Sequence, residues 1–182
     1  MAVRILKDGG VVAYPTEAVY GLGCLPGNRE AVFRLLCIKK RQVAKGLILV
    51  AACPEQLEEY VLYPEISVRE RVLATWPGPV TWLLPVTRAV PDWIKGCHTT
   101  VAVRVSGHAI VRALCREVGV LVSTSANPEH MPPARTLRKV AHYFGQSLDY
   151  IVPGEVGSSS RPTEIRDALS GKILRPGGNL PV

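Results

Sequence analysis

Apolar residues in this chain come in short unbroken runs, separated by polar stretches rich in glycine and proline. Val11-Val12-Ala13-Tyr14 is the first run. Pro15 stops it and Gly21 and Gly23 follow, which predicts a buried strand leading into a loop. Asn28 can cap a helix from Arg29 to about Lys40, with Ala31, Leu35 and Ile38 on one face. Leu47 to Ala51 predicts a second buried strand. Ser67-Val68-Arg69-Glu70 has the capping-box pattern and predicts a helix ending near Trp76, where Pro77-Gly78-Pro79 breaks the chain. Val80 to Leu84 and Val101 to Val105 predict further strands, while Pro91 to Thr100 shows no clear period.

His108 to Val118 predicts a helix, and Val120 to Ser123 a strand. Ser125 to Arg135 is polar and proline-rich, so it reads as a loop. Thr136 can cap a helix from Leu137 to Phe144. Tyr150 to Val152 is a short strand. Thr163 to Leu169 and Lys172 to Leu174 flank Ser170-Gly171, the pattern of a terminal β-hairpin. Strands and helices alternate, but the hairpin and the close spacing of strands favour a mixed parallel/antiparallel sheet. With no repeat and no linker, residues 1–182 read as a single α/β domain.

Composition adds limits. Hydrophobic residues make up 47% and charged residues 20%, enough to build a core without disulfide or metal staples. The net charge of +7 raises the odds of an anionic partner such as a nucleotide or RNA. The five cysteines form no C-x-x-C pair, which excludes zinc-ligand spacing and a secreted disulfide framework; they read as small buried hydrophobes in a reducing cytosol. Neither a signal peptide nor a membrane span is expected, which favours a cytoplasmic protein. The P-loop pattern is absent. Gly21, Gly23 and Gly27 miss the dinucleotide spacing and Pro26 interrupts them, and there is no nucleophile elbow. The four histidines show no metal spacing.

Four polar segments interrupt the apolar framework, each mixing hydroxyls or glycines with charge. Pro15-Thr16-Glu17-Ala18-Val19-Tyr20-Gly21-Leu22-Gly23 follows a strand, at the sheet edge where ligands bind in open α/β folds; taken alone, a tight structural turn explains it better. Lys39-Lys40-Arg41, with Lys45 beyond, could clamp a polyphosphate, Lys39 and Arg41 pointing the same way from extended chain. A cationic helix C-terminus is the plainer explanation of Lys39 and Lys40. Arg104 interrupts an apolar strand, so an anion must lie near it: a protein carboxylate or a ligand carboxylate. Ser125 and Asn127 follow a buried strand at alternate positions and should converge on one side. Arg135, Arg161, Arg166 and Arg175 add cations on further segments.

Together these segments resemble a known family, the YrdC-like threonylcarbamoyl-AMP synthases in their short bacterial form. The resemblance rests on YPTEAVYGLG (14–23), Lys39-x-Arg41 with KGLIL (45–49), WPGPVTWLLP (76–85), VAVRV (101–105), Ser125-x-Asn127, and PTEIRDAL (162–169) before ILRPG (173–177). It implies a twisted mixed α/β sheet with helices around an open, positively charged concave cleft. It implies conversion of ATP, L-threonine and bicarbonate (or CO2) into threonylcarbamoyl-AMP and pyrophosphate. Mg2+ would arrive with ATP, without direct protein ligands. A threonylcarbamoyl-transferase complex would then pass the group to adenosine in tRNAs that read ANN codons. By position, Thr16, Arg104 and Thr163 resemble threonine-site residues, Arg104 taking the carboxylate. Lys39, Arg41 and Lys45 resemble the residues that hold the ATP phosphates, Lys39 and Arg41 carrying the catalysis. Thr100, Ser125, Asn127, Arg135 and Arg175 resemble the rest of the nucleotide site.

The pattern departs from the family in places. Asn127 is followed by Pro128-Glu129-His130 where the family has a Ser-Gly, and Gln42 stands for the usual proline. Only Met1 to Lys7 could supply the family's first helix, so that helix should be stunted or missing. The family's long form carries a further C-terminal domain, for which this chain has no room. Two other functions compete. One is a non-catalytic tRNA or double-stranded RNA-binding module, motivated by the positive cleft but disfavoured because an RNA surface needs neither a buried Arg104 nor Ser125-x-Asn127 at a strand end. The other is the carbamoyl-adenylate module of hydrogenase-maturation proteins, which normally sits beside acyl-phosphatase and zinc-finger-like segments not seen here.

Overall fold

Short β-branched and aliphatic runs form strands because their side chains pack on both faces of a pleated sheet. The computed structural model describes residues 1–159 and 162–177. In it, β1 (Val12–Pro15), β2 (Tyr20–Gly23), β3 (Ile48–Ala51), β4 (Val80–Pro85), β5 (Thr100–Val105), β6 (Leu121–Ser125), β7 (Tyr150–Ile151), β8 (Glu164–Asp167) and β9 (Ile173–Arg175) join in the order β7-β1-β2-β6-β3-β5-β4-β8-β9. β1/β7, β3/β5 and β4/β8 run parallel and the other neighbours antiparallel, so the sheet is mixed, as expected.

Strand alternation divides the apolar residues between two cores. Val11, Ala13, Leu49, Ala51, Trp82, Leu84, Val101, Val103 and Val122 enter the larger core. That core is completed by α2 (Arg29–Lys39), α3 (Ile66–Leu73) and α6 (Leu137–Phe144), through Leu35, Val72 and Val140. Val12, Tyr14, Val50 and Leu121 face the other way. They meet Leu6 of α1 (Ala2–Lys7) and Val111 and Leu114 of α5 (Ala109–Val118). These two helices cover that face at β7 and β1 and, on β3 and β6, only around Val50 and Leu121. Beyond that cover the same face carries Ala102, Arg104, Ser123 and Ser125 into an open cleft, with Thr81 buried on the same face.

Several expectations need correction. Tyr20–Gly23, expected as loop, is a strand because it pairs with β1 across a tight connection and with β6 on its other edge. The capping box at Ser67 does not form: α3 starts at Ile66 with Glu65 as its cap residue, and the Ser67 hydroxyl donates to Glu65 Oε2. Asp92–Lys95 forms a short helix, α4, inside the stretch without a period. The first helix is present but short, at six residues. Of the cysteines, Cys24 and Cys115 are buried, while Cys37 and Cys97 are exposed. Among the described residues no helix is long and apolar enough to cross a membrane.

One polar staple closes the β7 end of the sheet. Arg34 of α2 forks onto both oxygens of Asp149 (2.6 and 3.0 Å) and onto Ser147 O (2.9 Å), while Val11 N–H donates to Asp149 Oδ2 (2.7 Å). Burial pushes the Asp149 carboxyl up, but Arg34 and the Val11 amide together hold it below the ordinary aspartate value. A carboxyl lowered in the folded state stabilises above its unfolded pKa and stops doing so as pH falls through the folded one. Asp149→Asn should therefore cost about 1 kcal/mol at neutral pH, discounted for the pair's partial exposure. The gap from the parent should close in acid, as urea unfolding at pH 7 and pH 3 would register.

Candidate active site

The β1–β2 turn, the α2–β3 connection and the open strand ends meet around a cleft of about 450 Å3. Thr16, Arg41, Lys45, Thr100, Arg104, Ser125, Thr163 and Arg175, all singled out from the sequence, line it. Lys39, Asn127 and Arg135 do not. Tyr20, Lys95, His98 and Ser123 line it without having been singled out. Ser123 was within reach of sequence reasoning, since it alternates with Ser125 on one strand. Lys95 and His98 lie in the stretch that gave no pattern. Arg161 lies outside the described residues.

Arg104 is 5% exposed, and its anion is a protein carboxylate: Nη2 lies 3.4 Å from Glu17 Oε2. The other Glu17 oxygen accepts from the Ser106 hydroxyl (2.7 Å) and the Gly107 amide (3.0 Å). The strand that carries Arg104 thus continues into the loop that fixes its counter-ion. Burial pushes the Glu17 carboxyl up. Arg104, the Ser106 hydroxyl and nearby amides outweigh this and hold it below the usual glutamate value, so it is ionised. Arg104 still faces the cleft. A paired guanidinium keeps N–H groups for a ligand because it has five in a fixed fork.

The cation cluster differs from the extended-chain expectation. Lys40 takes a left-handed conformation (φ 48°) at the end of α2, so Lys39 and Arg41 diverge. Arg41 Nε and Nη2 donate to Gly46 O (3.2 and 2.9 Å), which aims the guanidinium along the cleft wall. Lys39, only 8% exposed, turns to the loop after β6. Its ammonium donates to Ser125 O (2.7 Å), to Asn127 O, and to Asn127 Oδ1 (3.1 Å). Burial, with Arg41 adding to it, pushes Lys39 down to about 8. Ser125 and Asn127 converge as expected, the Ser125 hydroxyl donating to Asn127 Oδ1 at 2.7 Å. The Asn127 amide is taken up by Pro128 O and Met131 O, so Asn127 builds the loop instead of lining the cleft. Arg135 donates to Ser159 O (3.3 Å). Glu129, in the segment that departs from the family pattern, lies 3.8 Å from Lys45 Nζ.

The hydroxyls have fixed roles. Thr16 Oγ1 gives its proton to Val19 O (2.7 Å), leaving lone pairs for a ligand. Thr163 is held through its carbonyl by Arg175 Nε and Nη2 (3.1 and 2.7 Å). Burial raises the Cys24 thiol to about 12, which leaves it unreactive. No carboxylate lines the cleft among the described residues, and no three His, Cys, Asp or Glu side chains come together as metal ligands. The cations and hydroxyls of this wall can neutralise and orient anions, and apart from His98 it offers little for proton transfer.

Comparisons with known proteins bear on the family and the fold. Residues 4–177 match the family model Sua5_yciO_yrdC, described as "Telomere recombination". A threonylcarbamoyl-AMP synthase of Nitrosococcus oceani is 52% identical over 176 residues, covering 96% of this chain and 95% of that protein. The protein of the same name from Pseudomonas aeruginosa is 49% identical over 177 residues, with 96% and 95% coverage. The crystal structure of P. abyssi Sua5 complexed with L-threonine superposes with a TM-score of 0.90 at 32% identity. It matches 97% of this chain, which spans only 53% of the P. abyssi protein. On the full-length family match and the near-complete alignment with these relatives, the chain belongs to the Sua5/YciO/YrdC family.

Proposed function

We propose that this chain is a threonylcarbamoyl-AMP synthase, catalysing the first step of tRNA threonylcarbamoyladenosine formation from ATP, L-threonine and bicarbonate. The observation that carries the reading is Arg104, a buried guanidinium held by Glu17 yet facing a cleft with cations and hydroxyls on its walls. The relatives named above support it, as does the threonine complex of the P. abyssi protein.

In this reading Arg104 takes the threonine carboxylate, and the lone pairs of Thr16 accept from the amine. Bicarbonate takes up a proton and gives CO2 and water, and the amine nitrogen bonds to CO2 and loses a proton, giving a carbamate. A carbamate oxygen then bonds to the α-phosphorus of ATP, the bond to the β-phosphate oxygen breaks, and pyrophosphate leaves. Arg41 and Lys45, with the free edge of Arg175, neutralise charge on the phosphates, and Thr100 and Ser125 supply hydroxyls along the nucleotide. Mg2+ enters as the counter-ion of ATP, a part of the substrate. Lys39 serves the nucleotide at one remove, by fixing the Ser125–Asn127 turn. The chemistry is positioning plus charge neutralisation. The product is an activated anhydride, consumed by a transferase complex that acts on tRNA.

Pyrophosphate release should require both threonine and bicarbonate, and serine should replace threonine poorly. Arg41→Ala should raise KM for ATP about tenfold or more, by removing a charge-assisted contact. Arg104→Lys should raise KM for threonine by a similar factor, because a point charge replaces a fork. Salt-sensitive RNA binding by a protein that releases no pyrophosphate would select the binding-module reading instead.

A pH profile tests Lys39. Its ammonium is charged below about 8 and neutral above, and the neutral amine has one donor fewer for the loop. KM for ATP should therefore rise between pH 7 and pH 9. Lys39→Met should show a raised KM already at pH 7 and little further rise, as initial rates against ATP at each pH would reveal.

A further inference from the structure

Thr81 is a polar side chain in a strand otherwise composed of Val, Trp, Leu and Pro, and it is 0% exposed. The alternation of β4 puts Val80 and Trp82 in the larger core and turns Thr81 to the opposite face, beneath the cleft. Its hydroxyl lies 3.3 Å from Thr163 Oγ1. Among the described residues this is the hydrogen-bond partner the structure gives it. Thr163 is 9% exposed and lines the cleft.

Either oxygen could donate across that distance, but burial decides between them. Were Thr163 to donate, the Thr81 proton would be left without an acceptor in the interior, at a cost of about 1–3 kcal/mol. Were Thr81 to donate, both protons are used: the Thr81 proton meets Thr163 Oγ1, and the Thr163 proton points into the cleft. The second arrangement wins. Arg175 already fixes the Thr163 carbonyl, so the hydroxyl rotor is the freedom that remains, and Thr81 sets it.

We infer that Thr81 is a positioning residue that holds the Thr163 hydroxyl as a hydrogen-bond donor to an acceptor-only oxygen, the carboxylate of the bound amino acid. The inference rests on the proposed reading that threonine binds beside Arg104 and Thr163. Thr16 has the opposite polarity, because its proton is spent on Val19 O and only lone pairs face the ligand. Donors at Arg104 and Thr163 with an acceptor at Thr16 form a polarity pattern complementary to an amino acid.

The test compares Thr81→Val, which keeps the shape and removes the hydroxyl, with Thr81→Ser, which keeps the hydroxyl. KM is measured separately for threonine and ATP from pyrophosphate release, and threonine affinity by calorimetry, which needs no turnover. Thr81→Val should raise KM and Kd for threonine about fivefold, the size of one directed hydrogen bond. It should leave KM for ATP and the unfolding midpoint near the parent's, and Thr81→Ser should restore threonine binding. Unchanged threonine affinity in Thr81→Val would overturn the inference. So would a parallel rise in both KM values, or a serine variant no better than valine. A parent protein that binds threonine but releases no pyrophosphate would overturn the proposed reaction while calorimetry still decides the role of Thr81. A parent that does not bind threonine would overturn both.

Discussion

The arrangement depends on incomplete cover. One face of the sheet is packed against α2, α3 and α6, while the other is covered by α1 and α5 only at β7, β1 and the parts of β6 and β3 around Leu121 and Val50. An open sheet face cannot remain apolar without exposing a large hydrophobic patch. Where the helices stop, polar Arg104 and Ser123 stand among apolar Ile48, Leu83 and Ile165 on the cleft wall, with Thr81 buried on the same face. Incomplete cover leaves the cleft, and its wall mixes polar with aliphatic side chains. Small residues such as Gly21 and Ala102 keep its floor low.

Electrostatics then sets what the cleft can hold. A buried guanidinium without a carboxylate would be costly, and Glu17 supplies one from the turn that also brings Thr16 to the cleft. Glu17 answers Arg104, while Arg41, Lys45, Lys95 and Arg175 line the cleft with no carboxylate among its described lining residues. Ionic partners of the rim are few and exposed, as in Lys45–Glu129 at 3.8 Å with both side chains about half exposed. Such a pair is weak and easily exchanged for a phosphate. Glu129 belongs to the segment that departs from the family pattern, and here it stands over a cation assigned to the nucleotide. The loop's shape is nonetheless kept by other contacts: Lys39 and the Asn127 amide tie it at both ends.

The sequence by itself determined the strand and helix framework wherever apolar periodicity was strong. β3, β5, α5 and α6 were legible because burial leaves an unmistakable run or stripe. It also made Arg104 conspicuous, since a charge in an apolar strand demands a counter-charge wherever it folds. β2 escaped because YGLG has glycine where side-chain alternation would be read, and its pairing partners β1 and β6 are what make it a strand. α4 escaped because four residues carry no period.

Which carboxylate answers Arg104, and where each cation points, only the tertiary structure decided. Glu17 and Arg104 are far apart in sequence, and their meeting depends on the order of strands. Lys39 and Arg41 looked equivalent as neighbours of one motif, but a left-handed Lys40 sends one under the β6 loop and the other along the cleft. Thr81 and Thr163 met only through the parallel pairing of β4 with β8. Local sequence records what a residue is and how buried its neighbours want to be. The direction of a polar side chain is set by the nearest partner across the fold, because an unpaired buried donor or charge costs more than any local preference.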